Sequence, residues 1–129
     1  METGAELLRV SRSKQDPHTT LRLARELASG WRQRVLAHAD VEEQDLFPLV
    51  VDRLPEQRDT VAALIRDHEM MRLLVDEIDG ELDHEGQVTS SVLDRFTALL
   101  HVQRLHSAFE EETFLPQVSG ALSGAAHPA

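Results

Sequence analysis

The eleven residues from His38 to Pro48, HADVEEQDLFP, occur again from His106 to Pro116 as HSAFEEETFLP, 68 residues further along the chain. The two copies share the histidine, both glutamates and the proline in register. A repeat of this kind on helical sequence marks the duplication of a helix hairpin. Two stacked hairpins give four antiparallel helices around one core, an architecture whose metal sites are built from inward side chains on facing helices. The chain is therefore expected to be all-α. The expected fold is an antiparallel, up-down four-helix bundle over residues 1–118 with a short or irregular first helix, followed by a flexible tail at 119–129.

Hydrophobic periodicity agrees. Val61, Leu64, His68, Met71, Val75, Ile78 and Leu82 step by three and four residues, which is one face of an amphipathic helix, and Pro55 suits its first turn. A further helix is expected from about Thr89 to Leu115, with Val92, Phe96, Leu99, Gln103, His106 and Glu110 inward and Pro116 helping to end it. Upstream, Asp16 stands as a candidate N-cap with Pro17 at the first helical position. From there the inward series reads Ala24, Ala28, Trp31, Val35, His38, Glu42 and Leu49, with no break at Ser29-Gly30. The first fifteen residues, with Leu7, Leu8 and Val10, carry at most a short, weakly patterned helix.

Composition narrows the chemistry. The 129 residues suit one domain, and a content of 41% hydrophobic and 28% charged residues is ordinary for a soluble globular protein. A formal net charge of -10 repels phosphate backbones and anionic lipid, so nucleic acid and membrane are not expected partners. The absence of cysteine excludes disulfides, thiolate-ligated zinc and cysteine-ligated iron–sulfur clusters. With no run of about 18 apolar residues and no signal-peptide pattern, a cytoplasmic setting is expected.

A histidine and a glutamate four residues apart share one helix face. His38 with Glu42 and His106 with Glu110 meet that condition, and His68 joins them from the middle of its own apolar stripe. Unpaired carboxylates facing a core would have to protonate or find a cation. Imidazole and carboxylate donors without thiolate suit iron, manganese or zinc. Glutamates can bridge two ions, so a pair on facing helices favours a dinuclear centre. The five candidate metal ligands are thus His38, Glu42, His68, His106 and Glu110.

The pattern of HxxxEE with a proline ten residues after the histidine, a second histidine in RDHEMMRLL, and another HxxxEE resembles the hemerythrin-like family of HHE cation-binding domains, over about residues 31–116. The resemblance implies a non-haem centre with two iron ions per chain, joined by an oxo or hydroxo bridge, inside a four-helix bundle. Two departures stand out. Oxygen-carrying relatives usually have a second histidine one turn before the position of His68, where this chain has Leu64, and they carry a histidine on the first helix. His18 is the one candidate for the latter role. A continuous helix from Pro17 would put it roughly 30 Å from His38, twenty residues at about 1.5 Å each, too far to share an ion, whereas a tight turn at Ser29-Gly30 would set the two side by side; the unbroken apolar phase and the repeat offset favour the continuous helix.

Other residues have plainer readings. His101 points away from His106, His84 and His127 belong to a polar loop and the tail, and Glu43 and Glu111 fall about 100° off the inward line, as surface groups or supports for a ligand. Gln103, one turn before His106, could orient a ligand or a water. Trp31 is expected to pack. Three functions remain compatible: a module that binds or senses dioxygen, nitric oxide or iron; an enzyme that activates dioxygen or decomposes peroxide; and a metal-free structural bundle. Small molecules of that kind are the expected partners, with a homodimer possible.

Overall fold

The computed structural model describes residues 16–126, and among them every regular element is helical. Three long helices follow one another. The first, α1 (residues 17–53), starts at Pro17. Asp16 precedes it, accepting a hydrogen bond from the Thr19 hydroxyl (3.3 Å), while its carbonyl receives the Thr20 N–H (3.0 Å). It runs through Gly30 in right-handed helical conformation, as the unbroken apolar phase predicts. The helix stops at Leu54, whose backbone (φ -131°, ψ 75°) leaves the helical region that a following proline disfavours.

The second helix, α2 (Arg58–Glu85), follows a short 3-10 turn at Pro55–Gln57 and ends at Gly86. Gly86 has φ 66°, the left-handed cap that a glycine adopts without a Cβ penalty, and its N–H closes on the Leu82 carbonyl at 2.9 Å. Thr89 then caps α3 (residues 90–126), its hydroxyl accepting the Val92 N–H at 3.2 Å.

The helices run antiparallel in sequence order. Ion pairs tie α1 to α2 along their length: Arg25 to Asp83 (2.7 Å), Arg32 to Asp76 (2.8 Å) and Asp79 (2.6 Å), and Asp40 to Arg72 (2.6 Å). Arg95 to Glu81 (2.9 Å) does the same for α2 and α3. Such partly exposed pairs set register more than stability, each contributing about 0–1 kcal/mol. The helices α1 and α3 meet at one end, where Phe47–Arg53 packs on Leu115–Ala126.

Three long helices are thus described. The fourth of the expected bundle, the short helix at residues 1–15, lies outside the described residues, as does His127. At the other terminus the helix does not end at Pro116 but continues to Ala126, into the segment expected as a tail. Val118, fully buried, and Leu122 anchor it against apolar neighbours.

Apolar side chains gather in two clusters. The larger joins Ala24, Leu27, Ala28, Trp31 and Leu36 of α1 to Met71, Val75, Ile78 and Leu82 of α2 and Val92, Phe96 and Leu99 of α3. The smaller joins Phe47, Val50, Val61, Leu64, Phe114 and Val118. All seven inward positions expected for α2 are buried. In α1 the phase differs. The backbone widens into π-turns at Trp31–Leu36 and Glu42–Leu46, and α3 does so at Glu110–Phe114. Each π-turn inserts about one residue into the helical count, close to 100° of rotation. Buried positions in α1 therefore move from the expected Val35, His38 and Leu49 to Leu36, Ala39, Phe47 and Val50, leaving His38 and Leu49 exposed.

Candidate metal centre

Between the two apolar clusters lies a layer of polar side chains. Glu42, His68 and His106 are buried there, at 5%, 1% and 6% exposure, and Glu110 is nearly so. Each arrives from a different part of the fold: Glu42 from α1, His68 from the apolar stripe of α2, and His106 and Glu110 from one turn of α3. Phe47 stacks on the His68 ring at 5.8 Å between centroids, and Phe114 meets Phe47 edge-on at 6.0 Å. Both aromatic rings come from the residues that close the duplicated motif.

The two imidazoles are held alike. His68 Nδ1 lies 2.7 Å from Glu43 Oε2, and His106 Nδ1 lies 3.0 Å from Asp67 Oδ2. A carboxylate only accepts, so each pairing places the ring proton on Nδ1 and leaves Nε2 directed inward. Those inward nitrogens are 3.2 Å apart. Two lone pairs at that distance repel unless one nitrogen is protonated or both face a shared cation. His68 Nε2 is also 3.3 Å from Glu42 Oε1, and His106 Nε2 is 3.3 Å from Glu110 Oε2.

Charge is unevenly shared across the layer. Burial holds the Glu42 carboxyl above the usual carboxylate range, with the neighbouring Glu110 pushing the same way against the hydrogen bond from His68. For Glu110 burial also acts upward, but the bonds to His106 and Glu42 outweigh it, and its carboxyl lies below that range. For His106, burial opposes the imidazolium, yet Glu110 and Asp67 together raise it above the ordinary histidine value. Behind Glu43 stands Arg72, which reaches Glu43 Oε2 (2.7 Å), Asp40 (2.6 Å) and Glu69 (2.8 Å), so the support of His68 is itself clamped.

The residues present suit a transition-metal ion. One ligand atom from each of Glu42, His68, His106 and Glu110 falls within 4.8 Å of the others. The closest separations, 3.2 and 3.3 Å, match the edges of a coordination shell with bonds of about 2.0–2.2 Å. A cavity of about 310 Å³ opens beside these donors, bordered also by Arg34, His38, Gln103 and Glu111.

A family model, the hemerythrin HHE cation binding domain, matches residues 1–118. The chain belongs to that family. No curated protein and no solved structure gives a significant match. Membership accounts for the donor types and their helical spacing, while the placement of each residue comes from the structure.

Four of the five expected ligands converge, and His38 stands apart. Its side chain is 70% exposed, with Nε2 3.7 Å from Glu42 Oε2, at the mouth of the cavity. The π-turn at Trp31–Leu36 accounts for the difference from its counterpart His106, because the corresponding stretch of α3 is ordinary α-helix. His18 is exposed near the start of the continuous α1, so it cannot reach the site. His84 and His101 are exposed, and Trp31 packs in the larger core. Gln103 borders the cavity and donates to the Ser107 hydroxyl (3.1 Å). Glu43, which spacing alone leaves between surface group and ligand support, and Asp67, which no motif marks, are the carboxylates that hold the two imidazoles. The available signal for Asp67 was its place next to His68, about 100° around α2 toward α3.

Proposed function

We propose that the chain is a non-haem iron protein whose His/Glu centre binds or senses a small molecule, dioxygen or nitric oxide, or takes up iron itself. The observation that carries this reading is the convergence of Glu42, His68, His106 and Glu110, with each imidazole oriented by its own carboxylate. Buried charges so arranged are costly without a cation. Family membership favours iron over the manganese or zinc that the same donors suit.

In this reading the four converging residues and His38 would hold two iron ions. Iron would supply reversible redox binding of a diatomic ligand. The protein's part is to fix the donors, exclude bulk water by the flanking apolar cores, and leave the cavity for the ligand. A four-helix, up-down bundle around this centre is part of the same reading. A second reading, an enzyme that activates dioxygen or decomposes peroxide, is favoured by the small number of histidines. Leu64 stands where a further ligand would be, which leaves more positions open to a substrate.

Iron analysis with optical spectra separates these readings. Purified protein titrated anaerobically with ferrous iron is expected to bind close to two equivalents and to show a new visible band on exposure to nitric oxide or dioxygen. His106→Ala should abolish iron retention. A stable adduct favours binding or sensing, and catalytic loss of added peroxide favours the enzyme. Wild-type protein that retains no iron and unfolds at the same temperature with or without it would overturn the metal reading.

A further inference from the structure

The donors around the polar layer are not organised symmetrically. Glu42 faces two ways: Oε1 is 3.3 Å from His68 Nε2 on the inner side, and Oε2 is 3.7 Å from His38 Nε2 on the outer side. The inner group contains two imidazoles, both locked at Nδ1 by carboxylates, together with an oxygen from each glutamate. The outer group has one imidazole. Among the described residues no carboxylate holds the Nδ1 of His38, and its ring is 70% exposed. Arg34, four residues before His38, borders the same cavity and carries a positive charge.

We propose that the two ion positions of this chain are unequal: one ion is held tightly by Glu42, His68, His106 and Glu110, and a second is held exchangeably at His38 through the outward oxygen of Glu42. The proposal rests on the metal reading above and goes beyond it. Three differences act in the same direction. The inner position has more protein donors. Its imidazoles are already oriented, whereas His38 must give up side-chain freedom to bind. Loss of an orienting partner alone weakens metal binding by about 10–100-fold. Together with the missing donors and the nearby guanidinium, this implies affinities that differ by at least about 100-fold.

The inequality traces to the chain itself. The motif is duplicated, so two equivalent half-sites would be the simplest outcome. An additional π-turn at Trp31–Leu36 in one copy turns its histidine toward solvent, while the other copy keeps His106 buried. The outer ion would then be the one that enters, leaves or exchanges with the medium.

Cobalt(II) alone is a suitable probe, because its visible absorption reports both occupancy and geometry. Metal-free full-length protein titrated with it should fill in two steps, with constants at least about 100-fold apart. His38→Ala should keep the first step within about threefold and lose the second. Glu110→Gln, and His106→Ala where circular dichroism shows it folded, should weaken the first step by at least tenfold. Two equivalents bound in a single step would overturn the inequality while leaving the metal reading intact. A tenfold or greater loss of the first step in His38→Ala, or a single equivalent unchanged by that substitution, would overturn it as well. No binding of cobalt at all would overturn the metal reading itself.

Discussion

Glu43 and Glu111 occupy equivalent places in the duplicated motif, yet their surroundings differ. Glu43 accepts from His68 Nδ1 at 2.7 Å and is gripped by Arg72, whereas Glu111 is exposed at the cavity mouth. Glu43→Ala should therefore weaken the first metal equivalent by about 10–100-fold, the usual effect of removing a partner that orients a ligating histidine. Glu111→Ala should leave that equivalent nearly unchanged. Asp67→Ala should resemble Glu43→Ala, since it holds His106 in the same way. Equilibrium metal titration of the three variants checks the comparison, and equal losses for Glu43 and Glu111 would contradict the assigned roles. Arg72, half enclosed by three carboxylates, binds Glu43 in place. Burial works against its charge, but the bonds to Glu43 and Asp40 more than compensate, so it stays protonated throughout the accessible pH range.

Helix by helix, the proteins' sequence pattern translates unevenly into structure. In α2 the period is regular, and every inward residue from Val61 to Leu82 is read correctly from the chain. In α1 the reading drifts, because three- and four-residue steps assume a constant number of residues per turn. The π-turns break that assumption, and no residue type in WRQRVL or EEQDL announces them. The prolines offer a partial clue in retrospect. Phe47 N–H bonds back to the Glu42 carbonyl and Leu115 N–H to that of Glu110, both immediately before a proline. A proline's ring presses on the carbonyl four residues back, and a widened turn moves that carbonyl aside. Pro48 and Pro116 are thereby carried inside their helices, although Pro116 was expected to help end its own. The loop between α2 and α3 is more conventional. Gly86→Ala should cost about 1–2 kcal/mol from the left-handed backbone, and Thr89→Ala about 1 kcal/mol from the lost cap, both measured by denaturant unfolding of the metal-free protein.

Taken together, the three antiparallel helices among the described residues enclose a charged layer set between two apolar clusters. The helical class and the four residues that converge in the polar layer could be read from the chain, since duplication and spacing are local facts. How far each ligand would be buried could not, because that depends on helix phase and on which neighbour covers which face. No helix among the described residues is long and apolar enough to cross a membrane. Metal removal should lower the midpoint of thermal unfolding, since an ion bound only by the folded state stabilises it by mass action; an ion at 100 times its dissociation constant contributes about 2.7 kcal/mol. Glu42→Gln should raise the midpoint of the metal-free protein, by relieving a buried carboxyl, and remove most of the metal-dependent increase. Differential scanning calorimetry with and without metal reads both effects.

The charged layer also bears on how the protein comes apart. The smaller apolar cluster, built around Phe47 and Phe114, is separate from the larger one, with Glu42, His68, His106 and Glu110 in the layer between them. Without an ion, that seam holds buried ionisable groups at a cost to stability. With one, coordinate bonds from all three helices cross it. Amide hydrogen exchange should accordingly show the end of the molecule around Phe47, Val61 and Phe114 opening on its own in the metal-free protein, and exchanging in step with the rest once metal is bound. The ion would then act as a rivet, joining two separately fraying halves into one cooperative unit.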